Sequence, residues 1–191
     1  MYFRQPIPMR PARERLLDAA ERVVVESGAT HLTLDAVAKS AGVSKGGLLY
    51  HFPSKEALLD GMLQRHFHDV DSEVAKRLAN RAGKTSRADL LRERVRVLLE
   101  QHPERPAVGA AMLAASADNP GHMAVCRAQY RKLLDEFAKL PGGFERTALV
   151  LLAVQGLMLA ELLHLSPYTP QERSRLVKAL LRAADQVGST Q

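Results

Sequence analysis

A chain of 191 residues has room for one or two domains, which excludes a large multidomain enzyme. Hydrophobic residues make up 46% and charged residues 25%, so a packed core is expected and intrinsic disorder excluded. Aromatic residues are only 5%, Trp is absent and Leu, Ala, Arg and Glu abound, a balance of helix formers over strand formers that predicts an all-α fold. The 27 Lys and Arg against 21 Asp and Glu give a net charge of +6, which suits a polyanionic partner. Bulk charge does not locate the surface that meets it, because residues 1–60 carry eight basic and seven acidic side chains.

Residues 1–11 contain Pro6, Pro8 and Pro11 and no apolar core of the kind a secretory signal needs, so they read as a flexible arm. Ala12 to Ser27 reads as a helix, with Leu16, Ala20, Val23 and Val24 on one side and Arg13, Glu14, Asp18, Glu21 and Arg22 on the other, ended by Gly28. Thr33 stands where an N-cap belongs, Asp35 in the first turn, and Val37, Ala38 and Ala41 form a short apolar face before Gly42. Ser44 is the next N-cap, opening Lys45 to Phe52, and Pro53 with Ser54 closes that segment and caps the next.

A long pattern follows from Lys55 through Leu58, Leu59, Met62, Phe67, Val70 and Val74 to about Leu78, until Asn80 to Thr85 breaks it. Further helices are expected at Arg87 to Gln101, Ala107 to Ala117, His122 to Leu140, Glu145 to Leu165 and Gln171 to Val187, separated by Pro and Gly. The longest apolar stretch, Ala148 to Ala160, is broken by Gln155 and is shorter than the roughly 18 residues of a membrane span, so no membrane passage is expected. A lone Cys126 excludes an internal disulfide or a thiolate zinc cage, and the chain reads as cytoplasmic.

The stretch Thr33 to Phe52, TLDAVAKSAGVSKGGLLYHF, carries the function. Two short helices joined through a glycine turn are a helix-turn-helix, the second helix of which enters a DNA groove. Gly42 permits a left-handed turn, Val43 plugs the angle, and Ala38 and Ala41 let the helices cross closely. Ser44 caps the second helix, whose first turn favours phosphate, and Lys45 adds a charge. Gly46 and Gly47 remove side-chain bulk where that helix would press on DNA. Tyr50 and His51 can donate to phosphates or base edges, and Lys55 supplies another cation. Phe52 reads as core. The DNA-contacting set is thus Thr33, Ser44, Lys45, Gly46, Gly47, Leu48, Tyr50, His51 and Lys55.

Over about residues 12–60 the chain resembles the TetR family of bacterial transcriptional regulators. The likeness rests on GVSKGGLLYHFPSKEALL and on Thr33, Val37, Ala38, Ala41, Gly42, Val43, Ser44, Gly46, Leu48, His51, Phe52, Lys55 and Leu58. One departure is that the family usually carries Tyr where Leu49 stands; here the aromatic is Tyr50. The resemblance implies a three-helix DNA-binding domain over 12–54 and a helical effector-binding and dimerisation domain over 55–191. It implies a homodimer on a palindromic double-stranded DNA operator, most commonly a repressor released by a small-molecule effector that shifts the long helix from Lys55. Small residues Ala153, Gly156 and Ala160 beside Leu149, Leu152 and Leu163, and the line Leu176, Leu180, Ala183, Val187, either build a four-helix dimer interface or cover the monomer's own core.

Met62, His66, Met112, Met123, Tyr130, Met158 and Leu162 are the candidate effector contacts, and the scarcity of aromatics favours an apolar effector over a flat cationic one. His66 with Asp69, or His68 with Asp71, has metal-ligand spacing, but a solvated helix face is the expectation and no metal or cofactor is assigned. The chain contains no phosphate-loop or H-E-x-x-H motif, and it is read as a non-enzyme.

Overall fold

The computed structural model describes residues 11–80, 84–101, 108–111, 113–114 and 123–188, and among them every regular element is helical. The helices are α1 (Ala12–Ser27), α2 (Leu34–Ala41), α3 (Lys45–His51), α4 (Lys55–Ala79), α5 (Arg87–Gln101), α6 (Ala124–Phe137), α7 (Gly143–Leu162) and α8 (Pro170–Val187). A single 3-10 turn, Ala29–His31, follows α1. Residues 108–111 and 113–114 are helical, and the rest of the helix expected over 107–117 lies outside the described residues, as does the arm over 1–10.

The caps that the sequence offers are the ones used. Thr33, Ser44 and Ser54 each accept a hydrogen bond from the backbone N–H three residues on, at 3.1, 3.1 and 3.2 Å. Gly42, with φ 68 and ψ 33, makes the left-handed exit from α2. Thr169 and Glu172 cap each other's backbone to open α8.

Two apolar cores result. The first joins Leu16, Leu17, Ala20, Val23 and Val24 of α1 to Leu32, Val37, Leu48 and Phe52, and to Leu58, Leu59, Met62 and Leu63 at the start of α4. The second joins Leu91, Val95 and Leu99 of α5 to Leu133 and Phe137 of α6, Val150, Leu151, Val154 and Leu157 of α7, and Ala184 and Val187 of α8. Between them Val70, Val74 and Leu78 of α4 bury against Val97 of α5. Helix α4 therefore belongs to the first core over its first two turns and to α5 over its last three.

The α1–α4 crossing is tight because residue 61 is Gly. A Cβ there would stand 2.6 Å from Phe52 Cε1, 3.2 Å from Arg13 Nη2 and 3.3 Å from Leu17 Cδ2. The Phe52 ring is buried beneath the Arg13 guanidinium and has nowhere to go. Gly61→Ala is expected to lower stability by about 1–3 kcal/mol despite the better helix propensity of Ala. Thermal melting checks it, and an unchanged midpoint would mean that the seam can open without cost.

By length and composition α7 is apolar enough to cross a membrane, although less than a third of its most apolar stretch is buried. One side of it, including Thr147, Val150, Val154 and Leu157, packs into the second core. The opposite side leaves Leu149, Leu152 and Leu159 exposed, at 66%, 62% and 44%. Gly156 lies on this face with open space around it. On α8, by contrast, Leu180, Ala183 and Val187 turn inward onto the second core.

Candidate nucleic-acid interface

Helix α3 is held by one buried side chain and presents the rest of itself to solvent. Leu48 is 0% exposed and anchors the helix in the first core. This corrects its place among the expected DNA contacts: the side chain points away from the surface, one turn before buried Phe52 and on the same side. Ser44 caps the helix through the Gly47 N–H, so its hydroxyl has an intramolecular task. Thr33 spends its hydroxyl in the same way on Ala36. Among the described residues Tyr50 is the most exposed of the large apolar side chains, at 85%, with its ring set edge-on to His51 at 5.0 Å.

The two glycines of α3 have no reason to be glycine inside this chain. A Cβ on Gly46 would find only Ser44 Oγ, at 4.0 Å, and one on Gly47 only Ser44 Oγ at 3.4 Å and Val43 Cβ at 3.9 Å. These are ordinary or looser contacts. Two glycines in a seven-residue helix cost about 0.5–1 kcal/mol each relative to Ala. What they provide is a bare backbone ridge facing outward, next to Tyr50 and the cap.

Charge around that ridge is arranged rather than heaped. Lys45 Nζ lies 3.0 and 3.1 Å from the two oxygens of the Asp35 carboxylate, tying the first turn of α3 to that of α2, with both side chains more than half exposed. Asp35 was read from the sequence as a helix-start residue, and its partnership with Lys45 was missed. Two opposite charges, each in the first turn of adjoining short helices, were the available signal. Lys55 stands half-buried at the start of α4.

Among the described residues, the expected effector contacts divide between the two cores. Met62 is 1% exposed within the first core, so it is a packing residue of the DNA-binding end and is withdrawn from the effector set. Met123 packs against the same core, whereas Tyr130 and Met158 pack against the second. Burial raises the Tyr130 pKa above its ordinary value, with Cys126 adding to the shift. His66 stacks at a tilt on Phe67, 5.8 Å away, and Leu162 reaches to within 2.9 Å of where a Cβ on Gly109 would lie. Met112 lies outside the described residues.

Two surface clefts, of about 470 Å³ beside Tyr168, Leu176 and Arg182 and about 870 Å³ between Arg87, Lys132 and Lys139, include none of these seven. Among the described residues no group of three or more His, Cys, Asp or Glu is placed to hold a metal ion. Asp71, one of the residues with metal-ligand spacing, pairs instead with Arg94 of α5. Cys126 is buried in the first core, and that burial, with Asp60 nearby, raises its thiol pKa against the opposing effect of Arg127.

Comparison with known proteins places this geometry in context. Residues 16–62 match the family described as bacterial regulatory proteins, tetR family, and residues 88–185 match the tetracyclin repressor-like C-terminal domain. The HTH-type transcriptional regulator SrpR of Pseudomonas putida is 37% identical over 59 residues, 31% of this chain and 28% of that protein. EthR of Mycobacterium tuberculosis, also an HTH-type transcriptional regulator, is 31% identical over 102 residues, 53% of this chain and 47% of EthR. The chain thus spans no more than about half the length of the curated relatives it matches. A transcriptional regulator from Rhodococcus sp. Rha1 shares the fold with a TM-score of 0.68 at 24% identity, over 92% of this chain and 97% of that one.

Proposed function

The chain belongs to the TetR family of bacterial regulatory proteins, and on that premise we propose that it binds a palindromic DNA operator as a homodimer, represses transcription and is released by a small apolar effector. The observation that carries the DNA half is the bare ridge of α3: Gly46 and Gly47 weaken the helix, and among the described residues only Ser44 and Val43 come within 4 Å of where their Cβ atoms would stand. A docking partner that needs close approach to the backbone explains both facts. Lys45, Tyr50, His51 and Lys55 surround that ridge and supply donors for phosphates and base edges. Ser44 and Thr33 hold the helices that carry them.

In this reading residues 12–54 supply the DNA contacts and residues 55–191 the dimer contacts and the effector site. The exposed apolar side of α7 supports a dimer, since a contiguous line of Leu149, Leu152, Gly156 and Leu159 is costly to leave in water and small enough at Gly156 for two helices to approach. Dimerisation would offer α3 twice, and the two copies fit successive major grooves when they stand about 34 Å apart. Effector contacts are assigned to His66, Met112, Met123, Tyr130, Met158 and Leu162. The protein acts in the cytoplasm, where its DNA is, and like its curated relatives it is a regulator, without catalysis.

Selection of bound fragments from random DNA tests the proposal directly. Recovered sites should be palindromes with half-sites one helical turn apart; fragments with no shared, symmetric sequence would overturn it. On the recovered site, Lys55→Ala should weaken binding and reduce the salt slope by about one unit, because one phosphate contact is lost. A slope unchanged in that variant would remove Lys55 from the interface.

A further inference from the structure

The acidic residues of α1 do not form a solvated face. Arg65 of α4 reaches across to them with a side chain only 10% exposed. Its Nη1 donates to Asp18 Oδ1 at 2.7 Å and to the Glu14 backbone carbonyl at 3.2 Å, with Glu14 Oε2 at 3.5 Å, while Nη2 lies 2.7 Å from Glu21 Oε1. One guanidinium thus engages three carboxylates spaced four and three residues apart along α1. It does so one turn after Gly61, on the seam where α1, Phe52 and α4 are in closest contact. Beyond it, the other half of α4 is fastened elsewhere: Asp71 to Arg94, and Arg77 to Glu93 and Glu100, all across to α5.

We infer that Arg65 is the positioning residue that sets the angle of the DNA-binding helices on α4. A planar guanidinium has a fixed fork of donors, so satisfying partners at both nitrogens fixes direction as well as distance. The close apolar seam at Gly61 fixes how near α1 lies to α4; three carboxylates spaced along α1, bound by one rigid group, add a directional constraint. The hydrophobic seam supplies adhesion, and Arg65 supplies orientation. Any tilt of α4 relative to α5 is then delivered to α3 without slip, and the spacing between two copies of α3 is held. This inference rests on the proposed binding of a palindrome by a dimer for its consequence on DNA, but its structural content does not depend on it.

The test therefore has two arms on the full-length protein. In the first, spin labels at Tyr50→Cys in α3 and Lys132→Cys in α6, with Cys126 replaced by Ala, report the intramolecular distance distribution without DNA. Arg65→Met, which keeps an unbranched apolar stem and removes the fork, should broaden that distribution. Arg65→Lys, a point charge unable to span three carboxylates, should fall between. An Arg65→Met distribution as narrow as that of the parent overturns the inference.

In the second arm, DNA selected by the wild-type protein is used as the full palindrome and as a single half-site. Arg65→Met should lose about tenfold on the palindrome, keep its half-site affinity, and pay a smaller penalty when one base pair is inserted between half-sites. Parallel losses on both DNAs, at unchanged dimer content, would mark Arg65 as merely structural. If Arg65→Met proves too unstable to purify, Asp18→Asn and Glu21→Gln each remove one of the three anchors, and each should broaden the label distribution on its own; a narrow distribution in both overturns the inference. A wild-type protein that shows no preference for the palindrome over the half-site would sink the proposed function while leaving the label distances to decide the role of Arg65.

Discussion

Gly47→Ala and Gly46→Ala should each make the protein harder to melt and poorer at binding its operator. The first effect follows from helix physics: Ala in place of Gly gains about 0.5–1 kcal/mol, and the new methyl meets nothing closer than Ser44 Oγ. The second follows from what the ridge is for. A methyl held against a sugar-phosphate backbone displaces the helix along its length, and each 1.4 kcal/mol lost there is about tenfold in affinity. We expect at least that for Gly47 and the same sign for Gly46. Opposite signs in one variant are what separates this account from a general weakening of the fold. Thermal melting and operator titration on the same preparations settle it, and variants that melt higher while binding DNA as before would show that something other than the bare face of α3 docks.

Gly156→Glu should abolish the proposed dimer and, with it, most of the affinity for the proposed operator. Open space surrounds a Cβ at that position, so the monomer can accommodate the longer side chain without repacking. At the centre of a helix-to-helix contact the same carboxylate would be desolvated beside Leu152 and its own symmetry copy, a like-charge contact costing several kcal/mol. A single recognition helix forfeits the gain of linked binding, which is on the order of 10² to 10⁴ in affinity. Light scattering reads the mass and titration reads the affinity. Retention of the dimer in this variant would move the interface off α7.

Much of the fold was legible because periodicity and capping agreed with each other. Leu16, Ala20, Val23 and Val24 recur at helical spacing and are all buried, and Thr33, Ser44 and Ser54 cap where their positions say they should. The site was less legible where one residue type serves two purposes. Leu48 stood within a surface motif, yet its four-residue spacing from Phe52 fixes it to the inner side of α3. Met62 had the flexibility expected of a ligand contact, but it shares its side of α4 with Leu58, Leu59 and Leu63, and a methionine reads the same whether it faces a core or a cavity.

The acidic line Glu14, Asp18, Glu21 was plain in the sequence at a spacing of four and three, but a solvated stripe and a buried anchor have the same spacing. Only the partner distinguishes them, and Arg65 lies 44 positions beyond Glu21. The same limit applies to the proposed effector contacts, which lie far apart in the sequence.

The pairing of Lys45 with Asp35 bears on discrimination between sequences. A cation already neutralised at home gains little from an arbitrary phosphate, since each new contact must be exchanged for an old one and leaves a carboxylate facing the polyanion. In the proposed interface random DNA would therefore gain less from Lys45 than a site whose shape draws it away from Asp35. There the pair would act as a sieve, lowering indiscriminate grip more than the fit to the right sequence.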